Sequence, residues 1–163
     1  RFATELLLTD PFYFVCRSQH PLAHRRRVDA SDFAGYPLVG NRVPGRIEKF
    51  LAKQRPDGMG DTGQPGPLRV KIDVATFSAT RRILLASDGI TLAPLAQVAG
   101  ELEGGSMTLL KTEGDTPRMH SGLIYLRGRS LSPAATRFVT GLRRKKKDMD
   151  LQSAALRLRF GVA

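Results

Sequence analysis

An α/β fold is what this sequence predicts, and three stretches predict it. In Val70–Pro94, VKIDVATFSATRRILLASDGITLAP, apolar Val70, Ile72 and Val74 alternate with Lys71 and Asp73, the period of a half-buried strand. Thr76-Phe77-Ser78 break that period, a helical stretch follows, and Ile90–Ala93 form a second apolar run, so the stretch reads as a βαβ unit. Phe12-Tyr13-Phe14-Val15-Cys16 is a continuous apolar run of strand length, the signature of a strand buried on both faces. Ser132-Pro133 opens the third stretch, with a hydroxyl cap followed by a proline whose missing N–H costs nothing in the first turn.

In chain order, Thr4–Leu8 is a short apolar stretch punctuated by Asp10-Pro11. The Phe12–Cys16 strand leaves through a turn at Arg17–Ala23, and Arg25–Arg27 form a basic tip. Ser31-Asp32-Phe33 reads as one helical turn capped by Ser31, and Tyr36–Gly40 as a short strand entered at Pro37. Asn41–Gly45 is a polar loop leading into a helix with Ile47, Phe50 and Leu51 on one face. Pro56–Pro67 is rich in Pro and Gly and reads as a loop. In the βαβ unit the spacing predicts a helix from Ala79 with Ser78 as its N-cap, its apolar face Ala79, Ile83 and Ala86. Ser87-Asp88-Gly89 stops it. Leu95 and Val98 mark a short helix ending at Gly100. Met107–Lys111 and Leu123–Leu126 are strands. The last helix carries Ala135, Phe138, Val139 and Leu142 as a stripe and closes on Arg143–Lys147, a run suited to the negative end of the helix dipole. The tail, 148–163, repeats the stripe at Leu151, Ala154, Ala155 and Leu158; it suits docking on a partner helix or a loose end.

Length and composition bound the functions available. With 163 residues and 41% hydrophobic content, the chain suits one domain or two small lobes. No apolar run approaches the roughly 20 residues that a membrane helix needs. The start at Arg1 lacks the features of a signal peptide and suggests a fragment. A single cysteine, Cys16, rules out an internal disulfide framework and fits a reducing compartment. The net charge of +11 points to anionic partners such as nucleic acid, phosphates or organic acids, or to a plainly solvated basic surface.

Catalytic and metal signatures are weak. His20, His24 and His120 lack metal-ligand spacing, there is no cysteine pair for zinc, and neither a nucleophile elbow nor a phosphate loop is present. Cys16 lies in a buried strand and reads as a small core residue. No catalytic residue, metal ligand or cofactor is therefore assigned, and no enzyme activity is expected. Ligand binding is better supported. Thr76, Phe77 and Ser78 follow a strand end at a helix N-terminus, where carboxylates and phosphates are commonly held. The plainer reading is that Ser78 only caps and Thr76 only ends a strand. Asn41 and Arg42 follow another strand end and face the same crevice in this reading. Arg42 is suited to pair with an anionic group, although an exposed loop arginine reads equally well. The two basic runs, Arg25–Arg27 and Arg143–Lys147, lack the aromatics of a single-strand-binding platform, and no helix-turn-helix pattern is seen.

Four places in register resemble the effector-binding domain of LysR-type transcriptional regulators. Phe12–Ala23, FYFVCRSQHPLA, is similar to the family's apolar strand and His-Pro-Leu-Ala turn. Phe33–Val39, FAGYPLV, is similar to its Tyr-Pro-Leu strand. Val70–Pro94 is similar to its helix running into Gly-x-Gly-Ile-x-x-x-Pro, with Ser87 where the family usually has glycine. Leu131–Val139 resembles its last helix. The match runs from about residue 3 to 144.

The resemblance implies a type 2 periplasmic-binding-protein-like fold: two α/β lobes joined by two crossing strands, the first lobe incomplete. On this reading residues 1–11 are a remnant of lobe I, and 12–127 comprise the crossing strands and lobe II. Residues 128–147 are the C-terminal helix of lobe I, and 148–163 a basic tail of no assigned role. The crossings are Phe12–Cys16 and Leu123–Leu126. The implied function is the ligand-sensing domain of a cytoplasmic bacterial regulator that binds a small, anionic metabolite at Thr76, Phe77, Ser78, Asn41 and Arg42. The implied partners are a small-molecule effector and further copies of the chain in a dimer or tetramer. DNA is met only through an N-terminal helix-turn-helix, RNA polymerase only in the full-length protein, and no membrane is involved. The alternatives are a transport solute-binding protein of the same fold, an enzyme completed by residues elsewhere, and a basic nucleic-acid-binding module acting through Arg143–Lys147.

Overall fold

The computed structural model describes residues 2–41, 47, 49, 70–112 and 116–162. Six strands and three helices of eight or more residues are assigned among them: β1 (Phe2–Arg17), β2 (Leu38–Gly40), β3 (Val70–Asp73), α1 (Phe77–Ala86), β4 (Thr91–Pro94), α2 (Leu95–Glu103), β5 (Met107–Leu109), β6 (Arg118–Leu126) and α3 (Pro133–Phe160). A 3-10 turn spans Ala30–Gly35. The chain divides into two compact units, Phe12–Pro117 and Arg1–Pro11 with Arg118–Ala163.

The larger unit is built around the end of β1. Residues from Pro11 to Cys16 are all buried, as a run of apolar side chains without alternation requires. Antiparallel β4 and β5 flank this segment, with Tyr13 opposite Ala93 and Cys16 opposite Thr108. On one side Phe12, Phe14 and Cys16 pack with Leu22, Val28, Phe33, Leu38, Ile90 and Leu110, and the rings of Phe14 and Phe33 lie 4.6 Å apart. Burial of each such side chain contributes about 1.5–3 kcal/mol before entropy is counted. A second, parallel pair is β2–β3, with Gly40 opposite Asp73. Ile90 bridges to Leu38 in parallel, and its carbonyl accepts the Val39 N–H at 2.7 Å. The two strands of the βαβ unit thus flank β2, which lies between them.

The sequence expectations hold here in outline and shift in detail. Helix α1 begins at Phe77, two residues earlier than predicted, and Thr76 is its N-cap: Thr76 Oγ1 accepts the Ala79 N–H at 3.3 Å. Its buried side chains are Thr80 and Leu84, one position on from the expected Ala79–Ile83 stripe. Moving the cap back by two residues changes which positions meet the sheet. The 3-10 turn is preceded by Asp29 rather than capped by Ser31, and the Asp32 carboxylate accepts the Asp29 N–H at 2.9 Å. Helix α2 continues past Gly100 to Glu103; the extra turn buries Leu102, and Arg81 of α1 pairs with Glu101. Ile47 is buried. Phe50, Leu51 and the Pro56–Pro67 stretch lie outside the described residues.

In the smaller unit β1 pairs with β6 in antiparallel register from Phe2↔Leu126 to Pro11↔Arg118, with a bulge between Leu6 and Leu8. Asp10-Pro11 does not end the strand. Proline has no N–H to give a ladder, and the next donor, Phe12 N–H, bonds the Pro117 carbonyl at 2.8 Å. Gly122 sits where a Cβ would lie 2.4 Å from the Glu5 carbonyl oxygen, so the two strands need a glycine at that pairing. Helix α3 runs without a break from Pro133 to Phe160, capped by Ser132 Oγ at one end and by Gly161 in the left-handed conformation (φ 62°) at the other. The helix predicted to stop at Lys147 and the tail after it are one element. No Gly or Pro interrupts 142–160, and Lys146 pairs with Asp150 across the expected junction at 2.5 Å. The less exposed positions follow a 4-3-4-3 spacing: Ala135, Val139, Leu142, Lys146, Met149, Ser153, Leu156 and Phe160. Leu151, Ala154, Ala155 and Leu158, the stripe suited to a partner helix, are exposed; Leu158 is 87% exposed. Glu5 on β1 accepts two hydrogen bonds from Arg143, at 2.9 and 2.7 Å.

Candidate functional site

The carboxyl ends of β2 and β3 lie side by side because the two strands are parallel. The Val74 N–H donates to the Gly40 carbonyl at 3.0 Å, so the chain leaves the sheet at Asn41 and at Val74–Thr76 along one edge. Asn41, Thr76 and Ser78 are exposed there, and Phe77 is half-buried. Four of the five residues singled out in the sequence are therefore brought to one sheet edge. Arg42 lies outside the described residues.

The edge is suited to an anion. A helix leaves its first amides without intrahelical acceptors, and its dipole is positive at that end. In α1 the Thr76 hydroxyl takes the Ala79 N–H, and the Thr76 carbonyl takes the Thr80 N–H at 3.1 Å. The Phe77 and Ser78 amides are left at the mouth of the helix. Ser78, relieved of capping, presents its hydroxyl beside them. No acidic residue stands in the first turn to compete for that position.

One polar residue at this edge was not singled out in the sequence. Thr91, the first residue of β4, is only 3% exposed, and its hydroxyl has no hydrogen-bond partner among the described residues. Oγ1 lies 3.5 Å from where a Gly40 Cβ would stand, at the very end of β2. A buried hydroxyl without a partner is costly to keep. The signal was a lone hydroxyl residue inside the apolar run Ile90–Ala93, at a strand position where valine or isoleucine would be ordinary.

A second polar cluster fixes the turn that follows α1. Arg17, at the end of β1, donates from Nε and one terminal nitrogen to Asp88 Oδ1 at 3.1 and 2.7 Å. His20 is buried; its Nδ1 accepts the Leu22 N–H at 3.0 Å, and its Nε2 lies 3.1 Å from the Asp88 carbonyl. Those partners require a neutral ring protonated at Nε2. Burial pushes the imidazole below its ordinary value of 6.5, against a smaller opposing pull from Asp88. His20 is a structural residue that ties the turn after β1 to the turn after α1, not a ligand. Cys16 is buried, and burial pushes its thiol up to about 12, so it offers no thiolate at neutral pH. Among the described residues no cluster of His, Cys, Asp or Glu fits a metal ion, and no helix is long and apolar enough to cross a membrane.

Comparison with known proteins adds to this geometry. The family model of the LysR substrate binding domain matches residues 1–147. The SDS degradation transcriptional activation protein of Pseudomonas sp. (strain ATCC 19151) is 36% identical over 129 residues, covering 77% of this chain and 39% of that protein. The HTH-type transcriptional activator CmpR of Synechocystis is 22% identical over 136 residues, covering 81% of this chain and 41% of that protein. The chain thus spans about two-fifths of the length of these curated relatives. Among solved structures, the Synechocystis PCC6803 CcmR regulatory domain in complex with 2-PG superimposes with a TM-score of 0.67 at 16% identity, over 91% of this chain and 68% of that one. The regulatory domain of CrgA, a LysR-type transcriptional regulator from Neisseria meningitidis, does so with a TM-score of 0.60 at 13% identity, over 88% of this chain and 68% of that one.

Proposed function

Because the chain belongs to the LysR substrate-binding domain family, we propose that it is the effector-sensing part of a longer transcriptional regulator. Its effector is a small organic anion held at the carboxyl ends of β2 and β3. The observation that carries this reading is the convergence of Asn41 and the capped N-terminus of α1 on one edge, with the Phe77 and Ser78 amides unclaimed by the helix. In this assignment the Phe77 and Ser78 amides and the Ser78 hydroxyl bind the carboxylate or phosphate. Thr76 holds the helix mouth in shape, Asn41 meets the molecule from the end of β2, and Thr91 supplies a hydrogen bond from the floor. Arg42 is assigned to the same effector by its charge alone. The CcmR regulatory domain holding 2-PG supports a small-molecule effector. The first-lobe assignment of residues 1–11 and 128–147, a cytoplasmic location, self-association and contact with RNA polymerase belong to the same proposal.

Binding changes transcription only if the effector prefers one conformational state over another. That requirement concerns the whole regulator; the binding step belongs to this chain. Isothermal titration with a panel of small organic acids, amines and neutral metabolites tests it. The expected result is saturable binding confined to acids. Tight binding of a neutral or cationic metabolite with none to acids contradicts it.

A further inference from the structure

Charge is distributed unequally between the two units. Arg1–Pro11 with Arg118–Ala163 carries twelve Lys and Arg against four Asp and Glu, so it holds +8 of the chain's +11. Much of this excess lies on α3. Of the five consecutive basic residues at 143–147, Arg143 is neutralised by Glu5 and Lys146 by Asp150. Arg144, Lys145 and Lys147 are exposed. Arg137, Arg144 and Lys147 recur at i, i+7 and i+10, which places them on one outward face over about 15 Å of helix. Of the other exposed residues on that face, Thr140 and Gly141 carry no charge, and Asp148, four residues after Arg144, is a carboxylate. Like charges so arranged repel one another, and nothing in the unit's own packing requires them.

A line of exposed cations along one helix face is suited to meet the phosphates of a duplex. Resting on the regulator reading above, we propose that the outward face of α3 is a second contact with duplex DNA, independent of sequence. It is made by Arg137, Arg144 and Lys147 with phosphates, and Lys145 stands beside them. This departs from the expectation that DNA is met only through a helix-turn-helix. Phosphate contacts position a protein on the duplex and base contacts specify the sequence, so the face adds affinity and not recognition. Duplex DNA is favoured over an anionic membrane by the pattern of the face. A membrane-surface helix interleaves apolar side chains with its basic ones, whereas here outward Leu151 and Leu158 lie beyond the basic segment, and exposed Phe138 stands to one side of the line of Arg137, Arg144 and Lys147. Duplex DNA is also the polyanion that an HTH-type regulator, as CmpR is described, keeps close at hand.

Three phosphate contacts predict a slope of about −2.7 for log affinity against log salt, a loss of roughly 40-fold between about 50 and 200 mM. The test measures fluorescence anisotropy of a random-sequence duplex of about 30 bp with the whole chain. The triple variant Arg137→Gln/Arg144→Gln/Lys147→Gln is compared with a charge-matched control on the other unit, Arg26→Gln/Arg82→Gln/Lys111→Gln, all exposed residues. Circular dichroism and thermal midpoints verify that all three proteins are folded. The expected result is at least tenfold weaker binding and a flattened salt slope for the α3 variant, with the control within threefold of the parent. Equal losses in both variants overturn the proposal, since net charge alone then explains them. So does the absence of parent binding at low salt, or binding to phosphatidylserine vesicles without binding to DNA. Titrating organic acids into the same α3 variant separates the two readings. Acid binding without DNA binding removes only this inference, and DNA binding without acid binding removes only the effector site.

Discussion

At the scale of single residues, the two threonines of the sheet edge do different work. Thr76 is a structural cap, and replacing such a cap with alanine costs about 1 kcal/mol. Thr76→Ala is therefore expected to lower the stability of the larger unit by about that amount and to weaken acid binding, while Thr76→Ser preserves both; denaturant melts and titration read the two effects separately. Thr91 is the opposite case. Its hydroxyl has no partner among the described residues, which makes Thr91→Val neutral or stabilising by up to about 1 kcal/mol, while acid affinity falls if the hydroxyl faces the effector. A residue kept at a cost to stability but needed for binding shows that split and a purely structural one does not. His20 gives a pH signature. Its folded value lies below 6.5, so the neutral form is favoured by folding. The stability this contributes is fully present above about 6.5 and is lost as the pH falls through the lower folded value. Melts at stepped pH are expected to show this loss in the parent and a flatter profile in His20→Gln. An unchanged profile in the variant places the titration elsewhere.

Secondary structure was legible wherever one local pattern dominated. Phe12–Cys16 and Val70–Asp73 were readable because continuous and alternating apolar patterns each have one compact solution in a sheet. Pro133 and Ser132 likewise announced the start of α3. What the local pattern misplaced were caps and faces. Ser78 and Thr76 are both good caps, and sequence chemistry alone does not rank them; the winner is set by where β3 stops pairing with β2. On α3, two stripes compete after residue 148. The less exposed one contains Met149, Ser153 and Leu156, a weaker hydrophobic pattern than Leu151 and Leu158. The contacts of Arg143 with Glu5 and the spacing set by Val139 and Leu142 fix the helix rotation, and the later positions follow. The gathering of Asn41, Thr76, Phe77 and Ser78 at one sheet edge was legible by strand-end logic. Thr91 was missed because its partner position, beside Gly40, exists only once β2 lies between β3 and Ile90. At this scale Gly122→Ala tests the β1–β6 pairing. A Cβ 2.4 Å from the Glu5 carbonyl oxygen forces the strands apart, and a loss of about 1–3 kcal/mol is expected. An unchanged thermal midpoint contradicts the pairing register.

At the scale of the whole chain, the two units divide the charge and the candidate roles. The larger unit carries the sheet edge and the residues proposed to hold the effector. The smaller carries α3 and most of the positive charge, and its strand face with Phe2, Leu6 and Ile124 stands exposed. Exposed apolar faces of this kind mark surfaces that take a partner or associate. Glu5–Arg143 is an exposed pair, and exposed pairs contribute at most about 1 kcal/mol; the buried side chain of α3 is Leu156. An anionic effector received by the Phe77 and Ser78 amides is the reading on which the candidate site stands. The most direct measurement is a backbone-amide NMR titration of the chain with an organic acid that binds it. The largest chemical-shift changes are expected on Phe77 and Ser78, with Asn41 close behind, all saturating together. Saturable binding whose shifts leave Phe77 and Ser78 unmoved, or that gather on α3 instead, contradicts it.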